Sequence, residues 1–567
     1  MADSSLTRQS YYAMRLGALR TERSSFISHY QEISEYFMPR RGRFLMGNRN
    51  KGDKRYKSII NSASVMSRRT AVAGLQSGLT SPARPWFHYE TPDREMMKFK
   101  PVRLWLEQVE NLHRAILAAS NFYNMMPVMY GELLGFGTGA MTITEDFEDV
   151  VRFYTHTVGS YMISQNHRLE VDTLYREVEM TVEQIVSQFG KENASSSVRD
   201  AYDKGNYSAW IPVIHAIEPN QDRDLSSKLS KNKPFRSVYF ERGMLDGNLS
   251  SGFLSEKGFD EFPAIVPRWD LTGEDIYGTD CPGMIALGDV KQLQAEERRK
   301  AQGIDKMVAP PLKGPGSLKN HNIENLPGGV TLYDGDTTNE GLRPIYEVRL
   351  PINELRQDIN DLENRIGSAF YADLFLQLQN MEGVQPRNVM ELAQRNEEKL
   401  LMLGPVLERL EHEGLDRALE RLFNMTVKAN LLPPPPPELS GQVLRVEYVG
   451  PLAQAQRAIA TQGIDRLTNF VGGVSGFDED ARDKFNTERA IDEYAVALGT
   501  TSTILNSDDE VAAIREARAR QQQLQQQMAM AESMSNVAKN ASDSSTEGGN
   551  LLSQLTQGGG PPQGQEQ

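Results

Sequence analysis

Four groups of residues in this 567-residue chain have types and spacings that invite chemistry. The first is Gly135, Gly137 and Gly139, in the stretch GELLGFGTGAM. A dinucleotide fingerprint needs Gly-x-Gly-x-x-Gly between a strand and a helix. Here the glycines follow a helical pattern and lead into the strand-like MTITED, so spacing and order predict a tight helix-to-strand turn. The stretch KGPGSLKN lacks the Gly-Lys-Ser/Thr of a phosphate-binding loop. The second group is the histidines, at 29, 88, 113, 156, 167, 215, 321 and 412, none with the partner spacing of a zinc site. Cys281 precedes a proline and has no histidine near it in sequence, which predicts a small buried residue rather than a nucleophile. The third is a carboxylate pair, Asp305 and Asp358, but charged helix faces abound here and solvated surface is the better reading. The fourth is the basic stretch PRRGRFLMGNRNKGDKRYK, with Arg40, Arg41, Arg43, Lys54, Arg55 and Lys57, and with Arg68 and Arg69 beyond it. Such a loop could contact phosphate or an acidic partner. The plainer reading, solvation or salt bridges to a neighbouring acidic subunit, is preferred. No catalytic constellation, metal site or cofactor site emerges.

The totals narrow the classes further. The length allows roughly three to five domain-sized units, or one elongated subunit of several parts. A net charge of −14 argues against a protein that coats nucleic acid by neutralising phosphate. It leaves room for one that handles DNA without gripping it. One cysteine rules out an intrachain disulfide and fits a reducing compartment. No apolar run approaches the roughly 20 residues of a membrane-spanning helix, and MADSSLTRQS signals neither secretion nor myristoylation.

The elements that must position these groups read as follows. Residues 1 to 37 predict a helix, with Leu6, Leu16, Leu19, Phe26, Ile33 and Phe37 mostly at steps of three and four. Helical patterns resume over Ser62 to Leu75 and Val102 to Ala119. Between them, GLTSPARPWFHYETPD reads as irregular and packed. From Val150 the runs VRFYTHTV, SYMIS and VDTLYREVEM predict strands, TVEQIVSQFG a helix ending on Gly190, and WIPVIHAIEP, FRSVYFERG and FPAIVPRWD further strands. A helix over about Ile285 to Val308 carries Val290, Leu293, Ala301 and Ile304 on one stripe, and Pro310 and Pro311 end it. After a Gly- and Pro-rich excursion with short strands, a second helix opens at Pro351. Ile352, Leu355, Ile359, Leu362, Ile366 and Ala369 form a narrow seam on it. Each helix is expected to hold about 22 to 24 residues, or roughly 35 Å. LQLQNMEGVQP reads as a polar loop, Pro386 as the start of a long helix kinked at Gly404-Pro405, and LLPPPPPEL as a stiff connector. A strand over Val443 to Val449 precedes helices at Leu452 to Phe470, Asp478 to Leu498 and Asp508 to Met530. The last has the capping-box spacing of Ser507 to Glu510. From about Ser533 the composition predicts disorder.

Five of these stretches in order, GLQSGLTSPARPWFHYETPD, GELLGFGTGAM, VRFYTHTVGSYMISQNHRLEVDTLYREVEM, FPAIVPRWD and MVAPPLKGPG, resemble the head-to-tail connector, or portal, proteins of short-tailed double-stranded DNA bacteriophages. The resemblance runs from about residue 5 to about residue 500. It implies an α+β, mainly helical subunit in a ring, usually of twelve, at one capsid vertex, with an axial channel for double-stranded DNA. The implied parts are a wing over 1–282, which includes the β-rich region. Stem helices follow at 283–308 and 351–373, on either side of a clip at 309–350. A tunnel loop covers 374–386, and a long kinked wing helix with its proline connector covers 387–450. A helical crown at 451–532 and a disordered tail at 533–567 complete the chain. Gln377, Gln379, Asn380 and Arg387 are then the channel-facing candidates. Lys313, Lys319 and Arg343 fall in the clip, where motor or tail-adaptor proteins would dock. The implied partners are other copies of the chain, the terminase large subunit, tail adaptor and tail proteins, the major capsid protein, scaffolding protein and internal core or ejection proteins. No catalytic residue is carried over.

Two other classes compete. One is an enzyme acting on nucleotides, built around Gly135 to Gly139. Nucleotide-dependent thermal stabilisation abolished by Gly137→Val would favour it, and no such shift is expected. The other is a coat-like or scaffolding shell protein, which would form shells or tubes in place of closed rings.

Overall fold

The computed structural model describes residues 2–44, 52, 54–93, 96–227, 229–242, 253–310, 312–313, 343–344, 351–379, 397–439, 444–476, 484–498 and 508–543. The architecture is α+β and mainly helical. Two compact units divide it. One comprises residues 1–92 and 104–499, the other 93–103 and 500–567.

In the larger unit, α1 (Ala2–Phe37) buries Tyr12, Leu16, Leu19, Tyr30, Ile33 and Phe37 along one stripe. The three- and four-residue spacing puts these side chains on one face, as expected. Helix α2 (Ala63–Leu79) follows, then strand β1 (Phe87–Glu90). This strand corrects the reading of that Pro-rich stretch as irregular throughout. Its pattern of alternate burial, with Phe87 and Tyr89 inward, is short enough to hide between prolines. Helix α3 (Lys100–Ala119), which belongs to this unit from Leu104 on, and α4 (Phe122–Phe136) lead into the hairpin β2 (Ala140–Asp146) and β3 (Val150–His156). Beyond lie β4 (Tyr161–Gln165) and β5 (Val171–Thr181), then α5 (Val182–Phe189) and α6 (Ser196–Asp203). Next come β6 (Trp210–Pro219), β7 (Phe235–Glu241), β8 (Ser255–Phe259) and β9 (Ala264–Ile265).

Strands β4 to β8 form an antiparallel sheet in sequence order, while β3, β2 and β9 make a second, with β2 central. One core joins the first half of α1 to the larger sheet and to α5 and α6 through Tyr12, Leu16, Tyr175, Val182, Ile185, Val198, Ile214 and Phe240. The start of α5 is locally encoded: Thr181 accepts from the Gln184 N–H while Gln184 caps Thr181 in return.

The chain then enters a short turn, α7 (Pro282–Ile285), and α8 (Leu287–Val308). Strands β10 (Leu312–Lys313) and β11 (Arg343–Pro344) pair antiparallel. Helix α9 (Ile352–Ala369) starts one residue later than expected, with Pro351 as its N-cap. At 18 residues it is shorter than the predicted length, because Tyr371 takes a left-handed φ of 53° and turns the chain. Helix α10 (Ala372–Gln379) follows at once, so residues 374–379 are helix and not polar loop. Leu374 and Phe375 are buried, and a Cβ on Gly74 of α2 would strike the Phe375 ring.

Helix α11 (Glu397–Leu410) contains Pro405 in its interior. A π-helical turn over Glu411–Asp416 follows, before α12 (Arg417–Lys428). Strand β12 (Arg445–Tyr448) returns to pair with β1, and α13 (Pro451–Val474) and α14 (Thr487–Leu498) complete the unit. In the smaller unit α15 (Asp508–Asp543) runs 36 residues, past the predicted end at Met530 and past Ser533. Ala, Gln, Met and Lys are good helix formers, and low hydrophobicity alone does not prevent a helix.

Candidate functional site

Helices α8 and α9 lie antiparallel, since Arg365 near the end of α9 bridges to Asp289 near the start of α8. Where the pair leaves the body it is well packed. Val290 and Leu293 on α8, and Ile359, Leu362 and Ile366 on α9, are buried. Further out the apolar stripe continues without cover from the described residues. Ala301 is exposed, as are Ile304, Met307, Val308 and, on α9, Ile352. The predicted stripe on α8 is therefore half core and half uncovered. Across the two helices eight acids face seven bases, so their surface is nearly neutral.

The base of the pair is fastened to the segment that follows the basic loop. Gln294 Oε1 accepts from the Ile60 and Asn61 N–H groups at 2.6 and 2.8 Å, and its Nε2 donates to the Asn61 carbonyl. The Asn61 amide donates to Glu297 on α8 and Glu363 on α9, so one side chain ties both helices. The start of the same loop is pinned elsewhere. The Gly42 N–H donates to Thr157 Oγ1 and the Arg43 N–H to the Val158 carbonyl. Gly159, at φ 85°, leaves room that the Arg43 carbonyl occupies. The two described ends of this strap are thus tied, one to the β3–β4 turn and the other to the paired helices.

Its charges divide accordingly. Arg41 lies 3.7 Å from the buried carboxylate of Glu132 on α4, an intrachain partner in place of the neighbouring subunit considered above. Burial pushes the Glu132 carboxyl up, while the Val158 N–H, Arg41, Thr157 and Arg68 act against that rise. Burial, then Arg41, holds Arg68 down to about 10. Arg40, Arg43, Lys54 and Lys57 are exposed, and Arg55 is half-buried.

Of the other predicted residues, Lys313 and Arg343 stand directly opposite each other in the β10–β11 register, and Lys319 lies outside the described residues. Gln377 and Gln379 belong to the last turn of α10, while Asn380 and Arg387 lie outside the described residues. Sequence reasoning missed Gln294, Asn61 and Glu132. Their signal is faint: a glutamine among apolar neighbours, and a lone acid in a helix otherwise hydrophobic.

The glycine turn holds no ligand cradle. Gly137 is the left-handed cap of α4 at φ 75°, and its carbonyl accepts from the Trp269 N–H. Gly135, Gly137 and Gly139 are buried, and the chain segments at Gly278 and Gly283 cross so closely that a Cβ on either would meet backbone of the turn. These glycines permit chain crossing. Cys281 beneath them is buried, and burial pushes its thiol up to about 12. Among the described residues no group of His, Cys, Asp and Glu is placed to hold a metal ion, and no helix is long and apolar enough to cross a membrane.

Comparison with known proteins shows the family to which this α+β chain belongs. A family described as "Bacteriophage head to tail connecting protein" matches residues 9–505. The portal protein of Salmonella phage epsilon15 is 42% identical over 549 residues, covering 97% of this chain and 98% of its own. The probable portal protein of Bordetella phage BPP-1 is 44% identical over 551 residues, again covering 97% and 98%. A solved structure titled "Neck of empty GTA particle computed with C6 symmetry" covers 81% of this chain and 96% of its own. At 14% identity and a TM-score of 0.36, that likeness is too slight to argue from. The chain belongs to the bacteriophage head-to-tail connecting protein family. It acts as a phage portal, the connector between head and tail, and is a virion component.

Proposed function

We propose that copies of this chain close into a ring, of twelve subunits, around a channel that conducts double-stranded DNA during packaging and ejection. One observation carries the ring: the outer halves of α8 and α9 leave Ile304, Met307, Val308 and Ile352 uncovered on helices whose inner halves are packed. A single chain offers nothing among the described residues to cover them; an identical neighbour does, and heterologous contacts that close by rotation give a ring. The near balance of charge on these helices supports the conduit. Duplex DNA carries one negative charge per roughly 1.7 Å of axis. A strongly basic wall would hold it by counterion release, whereas a balanced one lets it slide.

In this reading the segment 309–350 is the docking clip, where the facing bases Lys313 and Arg343 meet acidic surfaces of the terminase large subunit and later of a tail adaptor. Residues 374–386, with Gln377, Gln379, Asn380 and Arg387, face the channel. The major capsid and scaffolding proteins, and internal core or ejection proteins, are the partners on the head side. Assembly takes place in the host cytoplasm, and the protein catalyses no reaction and takes no cofactor. Native mass measurement and negative-stain imaging of the purified chain test this. Closed rings with a central hole are expected, and a chain that stays monomeric or dimeric at high concentration and moderate salt would overturn the reading. Shells or tubes would favour a coat-like protein.

A further inference from the structure

Asn61 stands where three helices meet, and every polar atom it has is in use. Its backbone N–H donates to Gln294 Oε1 at 2.8 Å, and its carbonyl accepts from Gln294 Nε2 at 2.9 Å. Its Oδ1 accepts from the Ala63 N–H at 2.9 Å, at the first turn of α2. Its Nδ2 donates to Glu297 of α8 at 3.2 Å and to Glu363 of α9 at 2.8 Å. Gln294, only 4% exposed, also accepts from the Ile60 N–H. Lys300 holds Glu297 in turn, at 2.6 Å. These bonds form a clasp that joins the start of α2 to both paired helices.

The other ties to α1 are less directional. Phe37 packs against Phe370, just past α9, with ring centroids 5.6 Å apart. Lys291 on α8 donates to Glu32 on α1, an exposed pair that salt screens. Apolar burial has no preferred direction, so it holds the helices down without fixing their tilt. Hydrogen bonds weaken steeply as they bend, so a clasp on three helices resists tilting. Small tilts matter here. Val308 lies 14 residues beyond Gln294, or about 21 Å along α8. Neighbours are related by about 30° in a closed ring of twelve and by about 28° in one of thirteen. A tilt of that difference at the clasp moves Val308 by less than about 1 Å.

We propose that Asn61 and Gln294 are positioning residues, and that their clasp sets the tilt of α8 and α9 on α2 and thereby the number of subunits that close the ring. The tilt aims Ile304, Met307, Val308 and Ile352, the apolar side chains left without cover from the described residues, at the neighbouring copy. The inference rests on the ring reading for that neighbour. It adds that the angle of the contact is fixed inside each subunit, away from the contact itself.

Native mass measurement of rings assembled from the full chain tests this, since it counts subunits ring by ring. Asn61→Asp keeps the acceptor for the Ala63 N–H, so α2 still starts, but it turns the donors to Glu297 and Glu363 into a carboxylate that repels both. Gln294→Ala opens the clasp from its other side. The wild type should give one subunit number. Rings of either variant should spread over two or more adjacent numbers, with the wild-type number falling to about half of the rings or fewer. Adding Glu297→Gln and Glu363→Gln to Asn61→Asp exchanges donors for acceptors and should restore the single number. Variants that melt lower yet form rings of the wild-type number alone would show a purely structural tie, overturning the clasp and leaving the ring reading in place. A wild type that itself forms rings of mixed number would overturn the clasp as well. So would folded variants that form no ring, because the clasp would then support the contact and not its angle. A wild-type chain that forms no ring removes both readings.

Discussion

At the scale of single residues, the polar groups inside the body are fixed by mutual bonding more than by exposure. Arg268, 2% exposed at its side chain, donates to Glu413 from both Nε and a terminal nitrogen, and to Gln165 and the Leu169 carbonyl. It ties the π-helical turn to the sheet. Removing one partner of a buried pair leaves a charge without compensation. Arg268→Ala is therefore expected to lower stability by about 3–5 kcal/mol, read as a shift of the urea midpoint. Two histidines are equally committed. The Thr426 hydroxyl donates to backbone carbonyls, so it accepts from His113 Nε2–H, and His113 Nδ1 accepts from the Tyr89 hydroxyl. Arg176 Nε donates to His215 Nδ1, leaving Nε2–H to donate to Ser237. Both rings are thus neutral. Burial lowers His113 to about 4, and burial followed by Arg176 lowers His215 well below its ordinary value. A folded pKa below the unfolded one means that the unfolded chain takes up protons first as pH falls. This contribution is complete above about pH 6.5 and is lost toward pH 4, amounting to about 3 kcal/mol for His113. Asp260, lowered mainly by its hydrogen bond from Lys428, is lost only below the ordinary carboxylate range, and the raised Glu132 acts with the opposite sign. A His113→Gln variant should consequently lose less stability than the wild type between pH 7 and 5. Equal slopes would show that this ring does not titrate in that window.

At the scale of elements, the strap is the least expected feature. Its basic residues suggest solvation or salt bridges more than phosphate binding, and its two described ends prove to be structural ties. Gln294→Ala removes the acceptor of two backbone N–H groups and the donor to a carbonyl, a local loss of about 1–3 kcal/mol. Limited proteolysis within residues 44–60 should accelerate while the global melting temperature changes little. Unchanged cleavage would show that the strap is held by its other end. The glycine turn makes the contrary point. Gly137→Ala places a Cβ on a left-handed residue, costing about 1–2 kcal/mol, and presses it against the Gly278 and Asp280 carbonyls at 3.1 and 3.3 Å. Thermal unfolding should register that loss with or without nucleotide present.

At the scale of the whole molecule, the pattern of uncovered surface is the informative quantity. Full burial of a Val, Leu, Ile or Met side chain is worth about 1.5–3 kcal/mol. Covering Ile304, Met307, Val308 and Ile352 in each of many identical contacts would give an assembly a large driving force. Ile304→Asp together with Met307→Asp is expected to abolish rings while the separated subunit melts within a few degrees of the wild type. Rings of normal stability would remove the outer halves of α8 and α9 from the interface.

Much of this protein was legible in the order of its residues. The strands β3 to β7 and β9 and the helices α1, α2, α3, α5 and α8 follow from period-two and period-3.6 patterns, whereas β8, whose SEKGF does not alternate, was not announced, and Gly137 was placed correctly at a helix-to-strand turn. Five family-like stretches in order pointed to a head-to-tail connector. Strand β1 was obscured by its prolines, since its partner β12 lies more than 350 residues away and no local pattern announces such a pairing. The corner at Tyr371 and the continuation of α15 past Ser533 also escaped, because packing or helix propensity overrode a polar composition. Periodicity and turn chemistry act between near neighbours in the chain, so sequence determined the elements and the family. Tertiary structure alone decided what the two ends of the basic loop are tied to and which half of the α8 stripe is left without cover from the described residues. Each of those depends on distances between residues far apart in the chain.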